Sequence, residues 1–390
     1  MITFGSLFTG FGLVDVGAKA AGLELAWGLE YDPEITEVAN TNLGRHTRVL
    51  DILEADPRDF ERVDVLHASP PCTRASVANH SAELNDDGLK EARLDKAMAG
   101  KVVEFIEVLR PQIFTLENVF GYRKFQSWAM IEDALNRLGY WVSLLHVNAA
   151  NFGVPQTRKR MIVRAVLGGW VPYLPPAEPW VGWYEAIEDL IPALPESRFA
   201  KWQLERLEID GSTLVDSAGY VDADGRLPVQ RPAGEPANTV IANHAQRPMR
   251  AFIANAREMH DHREMNPLTT RNANEPIFTL SSSAEPNRYK AFIVGGQYGQ
   301  PQGTENRAAQ LREEGEPSFT VTSLNKGDWR AWLSDGRVVA MTPRALARFQ
   351  TLPDWYELPA TARLACKGIG NGYPCLAYQK IVGQLVERLP

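Results

Sequence analysis

Cys72 follows two prolines in the run His67-Ala68-Ser69-Pro70-Pro71-Cys72, just after the apolar stretch Val63-Asp64-Val65-Leu66. That stretch reads as a short buried strand, and the prolines stop it and stiffen the turn. A thiol on a rigid strand-end turn is held exposed and aimed, as a covalent nucleophile must be. A lone cysteine is more often a small buried side chain, and the rest of the chain reverses those odds. Glu117, in Glu117-Asn118-Val119, ends a predicted strand at 112–116. Gln156-Thr157-Arg158-Lys159-Arg160 leads into another at 161–166. On an extended chain Arg158 and Arg160 point the same way, although the usual meaning of such a run is a solvated charged edge.

A second group of residues suits a small cofactor. A predicted strand at 2–7 runs into Phe8-Thr9-Gly10-Phe11-Gly12 and then an apolar helix over about 13–21. Strand, glycine turn and helix open a nucleotide-binding βαβ unit, although the third glycine of the dinucleotide fingerprint is missing. Gly10 and Gly12 let the backbone approach a ligand closely. Glu30 ends the strand at 25–29, eighteen residues after Gly12, where an acid can accept from ribose hydroxyls. Tyr31 beside it can stack on an adenine, and Asp51-Ile52 closes a short third strand at 49–50.

The elements between these residues must position them. Helices are predicted at 33–43, opened by Pro33, at 91–109 and at 126–138, with a strand at 141–147. In the second helix Ala97, Val102, Phe105, Ile106 and Leu109 are expected on one face. Strands alternating with helices predict a doubly wound α/β sheet, whose strand ends share one ligand crevice. Gly10, Glu30, Asp51, Cys72 and Glu117 all fall there. The polar stretch 73–90 beside the thiol is placed to act as a lid.

The chain has 390 residues, 44% hydrophobic and 23% charged, ordinary for a soluble protein of two or three domains. No apolar run is long enough to span a bilayer, and the start reads as a strand, not a signal peptide. Cys72, Cys366 and Cys375 make neither a disulfide framework nor a zinc spacing, so a reducing cytoplasm and no metal are expected. The net charge of -7 argues weakly against a nucleic-acid partner, though a basic cleft can sit on an acidic protein. From about 190 to 335 the sequence is rich in turn formers and hides a threefold repeat. Glu235-Pro236, Glu275-Pro276 and Glu316-Pro317 each lead to a Thr-aliphatic pair, then to Phe252, Phe292 and Trp332, spaced 40 residues apart. Paired short strands with core aromatics are expected. Thr342-Pro343-Arg344 starts a capped helix through Gln350, and Gly370-Asn371-Gly372 precedes a final helix near 375–389.

In this order the motifs resemble those of the DNA (cytosine-5) methyltransferases. The matching pieces are Phe8 through Gly12, Glu30-Tyr31, Asp51-Ile52, Pro70-Pro71-Cys72, Glu117-Asn118-Val119, Gln156-x-Arg158-x-Arg160, Thr342-Pro343-Arg344 and Gly370-Asn371-Gly372. Each is short, but their order is specific. Two departures stand out. The residues after Cys72 are Thr73-Arg74-Ala75-Ser76, of which only Ser76 matches, and Leu13 stands where a further glycine is common.

The resemblance implies a Rossmann-like catalytic domain at 1–170, a mostly β target-recognition domain at 171–336, and a segment at 337–390 that returns to the first. It implies S-adenosyl-L-methionine held by Phe8, Gly10, Gly12, Glu30, Tyr31, Asp51, Ile52, Pro71 and Asn371. Cys72, Glu117, Arg158 and Arg160 would act on a cytosine flipped out of double-stranded DNA. Ser76, Gln156, Arg257, Arg263, Arg271 and Arg288 would contact the DNA, with the chain a monomer. Three alternatives are an RNA cytosine methyltransferase, a non-catalytic homologue used as a binding module, and the same scaffold adding another group to cytosine.

Overall fold

In the computed structural model, which describes residues 1–71, 93–196, 214–215, 250–251, 292–294, 315, 317–318, 330–332 and 338–387, a seven-stranded sheet organises the chain. Its strands are β1 (Thr3–Leu7), β2 (Glu24–Glu30), β3 (Thr47–Val49), β4 (Val65–Ala68), β5 (Ile113–Asn118), β6 (Tyr140–Asn148) and β7 (Lys159–Leu167). Their order is β3-β2-β1-β4-β5-β7-β6, and within it β7 alone runs against the others. β4 and β5 are buried at every position. Helices cover both faces of a parallel sheet, so its inner strands read as continuous apolar runs.

The described helices are α1 (Leu13–Ala20), α2 (Pro33–Leu43), α3 (Arg93–Leu109), α4 (Gln126–Arg137), α5 (Trp183–Ile187), α6 (Pro343–Phe349), α7 (Ala362–Asn371) and α8 (Cys375–Val386). α3 and α4 bury Val102, Phe105, Ile106, Trp128 and Ile131 with Leu66, Phe114 and Met161 on one face of the sheet. α1 and α8 bury Val14, Ala18, Tyr378, Ile381 and Val382 with Phe4, Val65, Ile113 and Ile162 on the other. The result is a three-layered, Rossmann-like α/β fold. No described helix is long and apolar enough to cross a membrane.

Local chemistry accounts for the helix starts. Asp32 caps α2 by accepting from Glu34 and Ile35 N–H, with Pro33 in the first turn. The Thr342 hydroxyl accepts from Ala345 N–H in the same way ahead of α6. Some expectations shift. β4 runs on through His67 and Ala68, and β5 takes in Glu117 and Asn118. β3 lies at Thr47–Val49, short of Leu50. On α3 Ala97 is exposed and Ala99 takes the buried place. α7 is a helix over Ala362–Asn371, for which the sequence predicted no element.

Within 171–336 the described residues include α5 and short strands: β8 (Leu214–Val215), β9 (Arg250–Ala251), β10 (Phe292–Val294) and β11 (Arg330–Trp332). β11 also pairs with β12 (Val338–Ala340). Two copies of the repeat pair antiparallel, with Phe292 opposite Trp332, so residues 40 apart in sequence meet in register.

α1 and α8 approach unusually closely. A Cβ at Gly17 would stand 2.4 Å from the Cys375 carbonyl oxygen. Alanine raises helix propensity by about 1 kcal/mol over glycine, but here the clash is with backbone that cannot rotate away. Gly17→Ala is therefore expected to destabilise the chain by about 1–3 kcal/mol, read from the urea midpoint. A variant as stable as the wild type would show that the two helices are free to separate.

Candidate active site

The register brings the sequence-predicted residues into one line. Leu29, Leu7, Ala68 and Leu116 stand side by side across β2, β1, β4 and β5. One residue further along, Glu30, Phe8, Ser69 and Glu117 border a single crevice. It opens where the strand order reverses between β1 and β4, the place where doubly wound sheets bind ligands.

At the β1–β2 end the turn is built from left-handed backbone. Phe8, Gly10 and Gly12 have φ of 61°, 58° and 71°. Phe8 is the costly one, because only glycine adopts that region freely. Among the described residues nothing lies within 4 Å of where a Cβ on Gly10 would be, so the turn is open on that side. The Glu30 carboxylate fixes it. One oxygen accepts from Gly10 N–H at 3.0 Å, and the other from Tyr31 and Asp32 N–H at 3.0 and 3.1 Å. Desolvation raises the Glu30 pKa despite those bonds. Two carboxylate oxygens offer about four acceptor positions, so one is left for a ligand hydroxyl. Tyr31 and Asp51 are exposed beside it, and Lys367 of α7 bonds Asp32 at 2.9 Å. Open space, a free acceptor and an exposed ring together fit an adenosine-bearing cofactor.

At the β4–β5 end three charges meet. Glu117 pairs with Arg160 Nε at 3.0 Å, with both side chains nearly buried. Arg158 is fully buried and donates to the Gly370 carbonyl at 3.1 Å. Burial, then the neighbouring Arg160, press its pKa down to about 9, which leaves it charged at neutral pH. The Asn118 amide donates to the Pro70 carbonyl at 3.0 Å. That bond clamps the turn Ser69-Pro70-Pro71, from which Cys72 follows. Cys72 and Ser76 themselves lie outside the described residues, as do Arg257, Arg263, Arg271 and Arg288.

Beneath the charges runs a buried polar chain. Tyr378 Oη meets Thr115 Oγ1 at 2.9 Å, Thr115 meets His67 Nδ1 at 2.9 Å, and His67 Nε2 meets Ser69 Oγ at 3.3 Å. Desolvation lowers the His67 pKa to about 4, so the imidazole is neutral. Tyr373 is also buried, and its hydroxyl has no hydrogen-bond partner among the described residues. Burial, then Glu117, raise its pKa, while Arg158 and Arg160 oppose the shift. Neither residue had a sequence signal beyond lying next to a motif.

Two of the expected contact residues have buried side chains. Gln156 is fully buried, and its amide donates to the Phe349 carbonyl at 3.0 Å and Gln350 Oε1 at 3.1 Å. It ties two halves of the chain together from inside the protein. The Ile52 side chain lies in the core with Trp27 and Phe60, so a cofactor could meet only its backbone. Pro71 and Asn371 are exposed at the crevice end of their elements.

The family model for C-5 cytosine-specific DNA methylase matches residues 2–387. The type II methyltransferase M.HpaII of Haemophilus parainfluenzae is 23% identical over 99% of this chain and 90% of its own. M.Bsp6I of a Bacillus species is 29% identical over 42% of this chain, a match that spans 51% of that protein. Among solved structures, a putative DNA modification methyltransferase encoded within a prophage (E. coli) aligns over 100% of this chain and 99% of its own. Its TM-score is 0.57 at 15% identity.

The buried neutral His67 makes stability depend on pH. Its folded pKa, about 4, lies below the ordinary 6.5. Between those values the unfolded chain binds a proton that the folded chain does not, so stability falls as pH drops below 6.5 and levels off near 4. The full effect is about 3 kcal/mol. Urea unfolding across this range should show that loss in the wild type and not in His67→Gln. Equal pH slopes for the two proteins would place the histidine in contact with water.

Proposed function

The chain belongs to the C-5 cytosine-specific DNA methylase family, and from that premise we propose that it methylates carbon 5 of a cytosine in a specific sequence of duplex DNA. The observation that carries the reading is the Glu117–Arg160 pair, with Arg158 beside it, one strand from the clamped turn that leads to Cys72. S-adenosyl-L-methionine, held by the Phe8–Gly12 turn with Glu30, Tyr31 and Asp51, would supply an electrophilic methyl group. The target base cannot be reached inside a stacked duplex, so it enters the crevice flipped out.

Carbon 5 of cytosine is a poor nucleophile. The Cys72 thiolate adds to carbon 6, and the displaced electron pair makes carbon 5 an enamine carbon able to take the methyl group, whose bond to the sulfonium sulfur would break to leave a neutral thioether. Glu117 holds N3 and the exocyclic amine, where charge develops during addition. Arg160 exchanges its contact with Glu117 for the cytosine O2, and Arg158 backs both groups. Loss of the carbon-5 proton to a base then lets the Cys72–carbon 6 bond break and restores the thiolate. Residues 171–336, with Arg257, Arg263, Arg271 and Arg288, would choose the sequence, since base edges are read by placed side chains.

Cys72→Ser should abolish methylation and spare cofactor binding, because a hydroxyl is a far weaker nucleophile than a thiolate. Duplex carrying 5-fluorocytosine should form a covalent adduct with the wild type and none with the variant. An adduct that persisted in Cys72→Ser would assign the nucleophile elsewhere. Bisulfite sequencing of DNA from cells expressing the chain would report activity and target together.

Glu30→Ala and Asp51→Ala should each weaken S-adenosyl-L-methionine binding by about 1–3 kcal/mol, the cost of a lost hydrogen bond to a charged group. Glu117→Ala should leave that affinity in place and slow methyl transfer. Calorimetry separates the two classes. A Glu117→Ala variant that lost the cofactor like the others would mean the crevice is not divided in this way.

A further inference from the structure

Phe120 carries a basic side chain on each side of its ring. The exposed imidazole of His146 stacks on it at 3.9 Å between ring centres, 14° from parallel. The exposed Arg123 guanidinium lies over the same ring, 4.4 Å from its centre. Two groups that close cannot share a face, so the ring is sandwiched. Sheet register places the stack at the crevice rim, since Asn118, Met161 and His146 form one row across β5, β7 and β6. Alternation along β7 brings in a third cation. Arg158 and Arg160 share the face of Ile162, whereas Lys159 shares the face of Met161 and Val163. His146 and Phe120 are on that second face, and Lys159 acts electrostatically on the imidazole together with Arg123.

Among the described residues no carboxylate forms an ion pair with Arg123, His146 or Lys159. Another Arg-over-Phe contact in this chain behaves differently. Arg48 lies 4.7 Å over Phe60 and donates to the Asp59 carbonyl at 3.0 Å. Two cations and a protonatable imidazole gathered around one aromatic ring, next to where the target base must enter, call for an external anion.

We propose that Arg123, His146 and Lys159 form a binding site for a DNA backbone phosphate flanking the target, and that His146 takes up a proton when the phosphate binds. The site rests on duplex DNA being the substrate. Desolvation, then Lys159 and Arg123, keep the free imidazole below its ordinary pKa, so in free protein at neutral pH it is mostly uncharged. A bound phosphate reverses the sign of the local field and favours the imidazolium. Binding therefore tightens as pH falls from about 8 towards 6, by up to about tenfold for each unit by which the phosphate raises the imidazole pKa.

The test uses the full chain and a fluorescein-labelled duplex of random sequence, followed by anisotropy across salt and pH. Arg123→Ala and Lys159→Ala should each weaken binding and lower the salt slope by about one. His146→Phe, which keeps the stacked ring, should bind more weakly at low pH and lose the pH dependence. Calorimetry should give all three variants wild-type affinity for S-adenosyl-L-methionine. A wild type that binds duplex while every variant matches it in affinity, salt slope and pH dependence overturns the phosphate site alone. Variants that also lose the cofactor overturn it too, by tracing the effect to a damaged fold. A wild type that neither binds nor methylates duplex overturns the functional reading and this site together.

Discussion

Glu117, Arg158 and Arg160 are held where water is largely excluded, and much of the structure serves to keep them there. Burying a charge costs several kcal/mol unless a partner and hydrogen bonds offset it. Arg160 supplies the partner for Glu117. Arg158 is answered by a carbonyl, that of Gly370 in the last turn of α7. The final carbonyls of a helix lack intrahelical partners and carry the negative end of its dipole. A buried guanidinium at that point satisfies the helix end as the helix end satisfies it.

The same need explains why the end of the chain returns to its beginning. α7 can offer Gly370 only if it is fixed against the sheet. Gln350 donates to the Ile369 and Gly372 carbonyls, and Gln156 in turn donates to Gln350. Tyr356 donates to the Phe11 carbonyl, and Lys367 pairs with Asp32. The fit also accounts for Leu13. A Cβ on Gly372 would meet the Leu13 side chain at 2.6 Å, and one on Gly368 would meet the Phe11 ring. The larger residues of the first turn are accommodated by missing side chains more than 350 positions later. One set of contacts thus steadies both the Phe8–Gly12 turn and the buried charges, which couples the two ends of the crevice.

How much of this the sequence disclosed depended on whether the cause was local. The parallel strands were legible because burial on both faces leaves an unbroken apolar run. α2 and α6 were legible because Asp32-Pro33 and Thr342-Pro343 are start signals in themselves. α7 was hidden, since Gly368 and Gly370 look like breakers and are needed only because of the residues they face. The burial of Gln156 was hidden for the same reason. Its partners lie 193 and 194 residues away, and a polar side chain between basic ones reads as exposed until they are known. His67 and Tyr373 show the limit most clearly, because their roles are set by burial, which a strand or loop assignment does not specify.

The basic run 156–160 ties these points together. Read as composition it is one charged edge. Read along β7 it divides by the two-residue period of a strand: Arg158 and Arg160 share the face of Glu117, and Lys159 faces the opposite layer with His146. Gln156, before the strand begins, is turned into the core. A slip of one residue in the pairing of β7 would exchange the two faces, leaving Glu117 without its cation and a guanidinium among the apolar contacts of α3 and α4. β7 is held against that slip on both sides, by six paired residues on β5 and nine on β6. Its antiparallel direction, the one exception in the sheet, is what brings the start of the strand, and not its end, to the crevice.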